Sequence, residues 1–434
     1  MPVATVAVLP STATLIVTQT ATLTATAKDS TGAPLSGRAL AWTSSSPATA
    51  TVSNAGVVTA LAPGTTTITA TSEGRSGTAS VAVGFGPRTE VALKTSAAGI
   101  VNGMPFATQP VATIRDAYGN TILTDDVTVV ALTASAGATL RGTITATAVH
   151  GLAAFVNVGI AGTAGVNYTL TFSAGALTPA AQTVTLAPFK FGSGTKIVGT
   201  DILAGLFRSN NPVNASCYWE RLSGFGGTIA EIIANDIVAG PAVVAIDAAD
   251  KGFSSSTCAS WVEVTGPVTA SPAAPFGVGV FIVGVDIAPG LYRSNNAAGA
   301  SCYWERLSGF GGTSSDRIAN DLGGGPSVVA IGPTDKGFSS SRCASWSQVA
   351  GPVTTSQTAS FGDGTFIIGT DVAAGLWQSN GSGASCYWER LSGFGGVSAD
   401  RIANFFGSAP SVVTISPTDK GFHSSGCGNW SKIG

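Results

Sequence analysis

The chain has 434 residues, 44% of them hydrophobic and only 10% charged, with a formal net charge of −2. That length exceeds what one hydrophobic core supports and points to several domains, five by the reading below. The near-neutral balance excludes the basic surface that nucleic acid requires, and no apolar run reaches the length of a membrane span.

From Val3 to Val83 apolar and small polar residues alternate with period two, the pattern of half-buried strands. Turn signals interrupt it at Asp29-Ser30-Thr31-Gly32, Ser53-Asn54-Ala55-Gly56 and Ala62-Pro63-Gly64. Strands at such spacing predict a β-sandwich over residues 1–84. On these residues, in particular the Trp42-Thr43-Ser44-Ser45 strand and the Gly56-Val57-Val58-Thr59-Ala60 hairpin, the segment resembles the bacterial Ig-like domain of group 2. The resemblance implies a spacer or adhesive module and not a catalyst. Trp42, a large aromatic in an alternating strand, is expected to face the core.

Residues 85–189 repeat the all-β signature with different turns, such as Asp116-Ala117-Tyr118-Gly119-Asn120. This segment is similar to the Ig-like domains of invasin-type bacterial surface proteins, more loosely than the first. Asp116, Asp125 and Asp126 raise the question of calcium, but no DxDxDG loop accompanies them, so a solvated turn is the expectation.

Three copies of one module fill the remainder, at 190–264, 275–349 and 360–434. The stretch ASCYWERLSGFGG recurs unchanged at residues 215–227, 300–312 and 384–396, and the connectors TGPVTASPAAP and AGPVTTSQTAS read as solvated linkers. The chain's six cysteines fall into couples of constant spacing: Cys217 with Cys258, Cys302 with Cys343, Cys386 with Cys427. Six cysteines allow fifteen connectivities, but a module copied intact satisfies its own valences, so pairing within each repeat is expected. With no CxxC and only two histidines, a structural disulfide outweighs zinc or redox chemistry. Within each module short strands are expected to form a small β-meander or barrel, with a helical segment around Ile-Ala-Asn. The G-x-D-I/V strand, CYWERLS and the closing Cys-x-x-Trp resemble a domain recurring in secreted and surface proteins of actinobacteria, a likeness that implies location more than chemistry.

In CYWERL, alternation places Cys302, Trp304 and Arg306 on one face and Tyr303, Glu305 and Leu307 on the other. Another position is always aromatic but varied: Phe207, Tyr292 and Trp377. Two readings stay open there, an edge-of-core ring or a stacking surface for sugar rings, flanked by Arg208, Arg293 and Asn295. The recurrent acids and bases, such as Asp286, Glu305 and Asp335, suit rim salt bridges and turn caps better than the acid couple of a glycosidase. No GxSxG, HExxH or phosphate loop is found, so no catalytic residue, metal site or cofactor is assigned.

The sequence thus predicts an all-β chain: two Ig-like β-sandwiches followed by three small disulfide-stapled β domains in tandem, folded as separate beads. The expected role is non-enzymatic, an extracellular or cell-surface stalk presenting repeated modules to a glycan or envelope component. The alternative is a structural spacer that self-associates in a filament, sheath or phage particle. The opening residues MPVATVAVLP read as a strand and not as an export signal, while the cysteines point to an oxidising compartment. A piece of a longer secreted protein, a trimmed recombinant form, or a virion component would each reconcile the two.

Overall fold

The computed structural model describes residues 1–265, 275–349, 358–383 and 385–433. Among them all extended elements are strands, and helix is limited to three single 3-10 turns. The chain divides into two compact units, Met1–Ala187 and Pro188–Gly434.

The first unit holds two cores. In the earlier one, the hairpin of Gly64–Ser72 and Arg75–Gly84 forms the middle of a sheet. Ala41–Ser44 flanks it antiparallel and Thr12–Ile16 flanks it parallel. A smaller sheet of Thr20–Thr22, Val57–Ala60 and Ala50–Val52 accompanies it. Period-two alternation sends Ile68, Ala70, Val81 and Val58 into the core. Trp42 is half-buried and lids this core from its margin. Gly56 lies beneath it with φ of +78°, and a Cβ there would meet Leu23 O at 2.3 Å, so only glycine fits.

The later core sits between the sheet of Thr145–Thr147, Val129–Ala134, Asn167–Ser173 and Ala180–Thr185 and the strands Arg88–Thr95, Val111–Asp116 and Leu152–Ala154. Its turn acids are structural. Asp116 Oδ1 accepts from the amides of Tyr118 and Asn120 at 3.0 and 2.9 Å, and its Oδ2 accepts from Gly86 N at 3.0 Å. Asp125 accepts from Thr128 Oγ1 at 2.7 Å, and Asp126 accepts from His150 N at 2.6 Å. Asp116 and Asp125 are buried and not solvated as the sequence suggested, because amides and hydroxyls replace the water. No metal-holding cluster exists among the described residues.

In the second unit each repeat is a pair of small sheets. In the first repeat one sheet orders Lys190–Phe191, Trp261–Glu263, Gly205–Ser209 and Ala242–Ile246. The other orders Gly194–Ile197, Gly252–Ser256, Ser216–Leu222 and Ile232–Ala239. The cysteine strand is central in the second sheet. The disulfides close at Cys217–Cys258, Cys302–Cys343 and Cys386–Cys427, one per repeat. Around the second of them Phe338 meets Trp346 edge to face at 5.3 Å and stacks on Trp304 at 6.2 Å. The helical segment expected around Ile-Ala-Asn is instead a strand, since Ala234 and Val238 alternate into the core. The helical turn comes just before it, at Ile229–Glu231, Ser314–Asp316 and Ser398–Asp400. The linkers read at 265–275 and 350–360 lie largely outside the described residues.

Candidate binding site at the repeat junctions

The varied aromatic position belongs to the core. Phe207, Tyr292 and Trp377 are 0%, 2% and 0% exposed, which leaves no ring face for a sugar and overturns the stacking reading. The slot tolerates all three because its far end is a main-chain carbonyl. Tyr292 Oη donates to Ala288 O at 2.9 Å and Trp377 Nε1 to Ala373 O at 3.0 Å, while Phe needs no partner. Asn295 is exposed, whereas neighbouring Asn296 is buried and bonds Gly325 O.

Arg208 and Arg293, assigned to ligand contact from the sequence, have a different task. Arg208 pairs with Asp286 of the next repeat, and Arg293 with Asp371 of the repeat after that. The repeats are therefore not separate beads. Further bonds recur at both junctions. Arg221 Nη1 donates to Gly311 O at 2.8 Å, and Arg306 Nη1 to Gly395 O at 2.7 Å. The edge amide of Ala245 donates to Phe310 O, and that of Ala330 to Phe394 O, both at 2.8 Å. The arginines are held by bidentate pairs inside their own repeats, Arg221 with Asp250 and Arg306 with Asp335. Next to them Gly312, with φ of +76°, lies against the indole of Trp219, and a Cβ would come within 2.4 Å of Cη2. Gly396 lies against Trp304 in the same way. Each ASCYWERLSGFGG copy after the first thus supplies the Gly-rich loop that seats it on the repeat before.

Between consecutive repeats this packing leaves a cleft, of about 300 Å³ at the first junction and about 250 Å³ at the second. Its walls have equivalent chemistry. The earlier repeat contributes Trp219, Asn235 and Asp236, or Trp304, Asn320 and Asp321. The later repeat contributes Tyr303, Glu305 and Arg317, or Tyr387, Glu389 and Arg401. Tyr303 Oη donates to Glu305, which also accepts from Arg317 Nε at 2.6 Å. Tyr387, Glu389 and Arg401 repeat the arrangement. Desolvation first, then the hydrogen bond to Glu305, pushes the Tyr303 phenol up to about 12, and Tyr387 beside Glu389 stands there for the same reasons. The buried Nε1 atoms of Trp219 and Trp304 donate to no protein group among the described residues, whereas Trp388 Nε1 donates to Ser411 Oγ at 2.9 Å.

Carboxylates, amides, a phenol and a guanidinium thus bring hydrogen-bond donors and acceptors together in a half-open cleft beside an indole. The acids considered for hydrolysis serve elsewhere. Asp286 accepts from Ile282 N at 2.7 Å and pairs with Arg208, while Glu305 is engaged by Tyr303 and Arg317. From the sequence the Arg–Asp junction was missed, although one signal was present: Arg208 and Arg293 are replaced by Gln378 in the third copy.

The fold and its stapled repeats define a multidomain β protein. The chain belongs to the family of the Rv1352-like extracellular domain, which matches it three times, at residues 189–262, 273–347 and 358–431. Residues 2–83 are a bacterial Ig-like domain of group 2. The domain matched three times is an extracellular one. No curated protein matches the chain. Among solved structures, domains 5–6 of the S-layer protein SbsC are 26% identical over 43% of this chain and 97% of theirs, with a TM-score of 0.18. The Yersinia pseudotuberculosis adhesin InvE is 17% identical over 42% of this chain and 58% of its own, with a TM-score of 0.20. A glycosyl hydrolase family 2 member from Bacteroides cellulosilyticus is 19% identical over 31% of this chain and 19% of its own, with a TM-score of 0.21. Scores at this level carry no argument about function.

Proposed function

We propose that the protein is a non-enzymatic cell-surface binder that engages a neutral glycan, of an envelope or of a neighbouring surface, in the clefts between its stacked repeats. The observation that carries this reading is the formation of the same cleft twice, from the same residue types in the same places, by consecutive repeats. Two weak sites held at fixed separation raise avidity without any new contact, which suits adhesion.

The test is a glycan array probed with the full chain and with Asn235→Ala, Asn320→Ala and the double variant, whose side chains are exposed and leave the core untouched. Each single change should weaken binding several-fold, and the double change by more than tenfold. Binding indifferent to all three variants would overturn the assignment. The junction ion pairs favour a second reading, a stiff structural spacer. An array with no bound glycan would leave that reading standing.

A further inference from the structure

The junction between repeats is head to tail: a trailing face of one copy meets a leading face of the next. Interfaces of this kind close into a ring only where the rotation between copies allows it, and otherwise extend until something ends them. Repeat proteins commonly end with an altered copy.

The third repeat is altered at several elements of its trailing face, while Arg390 and its pair with Asp419 are kept. The arginine that pairs forward in the first two repeats is Gln378. The cleft aspartate, Asp236 or Asp321 in the first two, is Phe405, whose ring stacks on Trp388 at 6.0 Å with an interplanar angle of 20°. Phe405 thereby covers the indole that, at the other junctions, is covered by Gly312 or Gly396 of the following repeat. The indole nitrogen is also satisfied from within, by Ser411. At the opposite end the first repeat keeps the aspartate, phenylalanine and glycines of the leading face, with Ile232 in place of Arg317 and Arg401. Asp201, the counterpart of Asp286 and Asp371, is exposed, and Phe225 is 54% exposed where Phe310 and Phe394 are half-buried beneath their neighbours.

We propose that the third repeat is a built-in cap that stops head-to-tail assembly, and that the leading face of the first repeat is an open docking surface for an uncapped repeat of the same type. The occupant it fits is a trailing face bearing an arginine to meet Asp201 and an indole free to receive Gly227. The chain does not expose such a face, because its two uncapped trailing faces are already filled. This inference is independent of what the clefts bind.

The Gln378→Arg/Phe405→Asp variant supplies the missing trailing face. Sedimentation of the full chain should show the wild type monomeric at all concentrations. The average mass of the variant should rise with concentration by at least twofold, and Asp201→Arg in the same chain should return it to monomer. Wild-type oligomers that Asp201→Arg dissolves, or a natively folded double variant that stays monomeric, would overturn the proposal. Should the double variant misfold, the cap can be moved instead. Asp321→Phe places a ring against Trp304 where Gly396 now lies, and exchange of the Ala330 amide, which donates to Phe394 O across that junction, should accelerate by more than tenfold. Unchanged exchange would count against the cap.

Discussion

The two units of the chain solve the same problem in different ways. The first unit builds two sandwiches without a cysteine, the earlier on a core of Val, Ala, Ile and Leu and the later on the same residues with Phe106, Phe155, Tyr168 and Phe172 among them. The second builds three smaller bodies, each around a Phe flanked by Trp side chains and a disulfide. A domain of some seventy residues buries a smaller fraction of its surface than a larger one, so large rings and a covalent staple make up the shortfall. The difference teaches that the repeats depend on a few dense contacts, whereas the sandwiches spread the same task over many small ones.

The largest test of that contrast is the staple. Loss of one bridge, by Cys302→Ser with Cys343→Ser, should destabilise the second repeat by about 4 kcal/mol in the chain-entropy treatment. Calorimetry with and without reductant should show the transitions of the second unit falling while those of the cysteine-free first unit stay fixed. Next comes the ring. Phe338→Ala, which empties the space between Trp304 and Trp346, should cost roughly 3–5 kcal/mol, against about 1 kcal/mol for Ile68→Val in the first sandwich. Denaturant melts that gave equal losses would break the comparison.

Acid should distinguish the units further. Burial pushes the Asp116 carboxyl up, but the bonds from Gly86, Asn120 and Tyr118 outweigh it and hold the group below its ordinary value. Its contribution is therefore present above the unfolded value of about 4 and is lost as pH falls through the lower folded one. Asp116→Asn should flatten the acid limb of first-unit melting curves, and an unchanged limb would refute the role given to this turn. The smallest effect lies at the alkaline end. With phenols at about 12 in the fold and about 10 when unfolded, Tyr303 and Tyr387 contribute stability that is complete below the unfolded value. It is lost as pH rises through the folded one. Ultraviolet titration should show late phenolates, Tyr218 and Tyr292 also being shifted upward, and one of the latest should vanish in Tyr303→Phe.

Much of this was legible in the residues. The alternation around Ile68 and Val81 and the spacing of the cysteines each fix a local outcome, because side-chain direction in a strand and the valence of a copied module depend on few neighbours. Trp42 was expected inside and lies half-buried at the margin, packed against the core from outside. The aromatic slot misled too. Substitution among Phe, Tyr and Trp resembled an exposed platform, and only the fold shows the carbonyls of Ala288 and Ala373 waiting at its end.

By itself, then, the sequence determined that the chain is all β, Ig-like first and stapled repeats after, since these follow from period, turns and cysteine count. Tertiary structure alone decided that the repeats stack, that Arg208 and Arg293 reach forward to Asp286 and Asp371, and that clefts form between copies. Those contacts join residues 78 positions apart in different copies, and a repeating pattern is silent about how one copy meets the next until both surfaces exist in space.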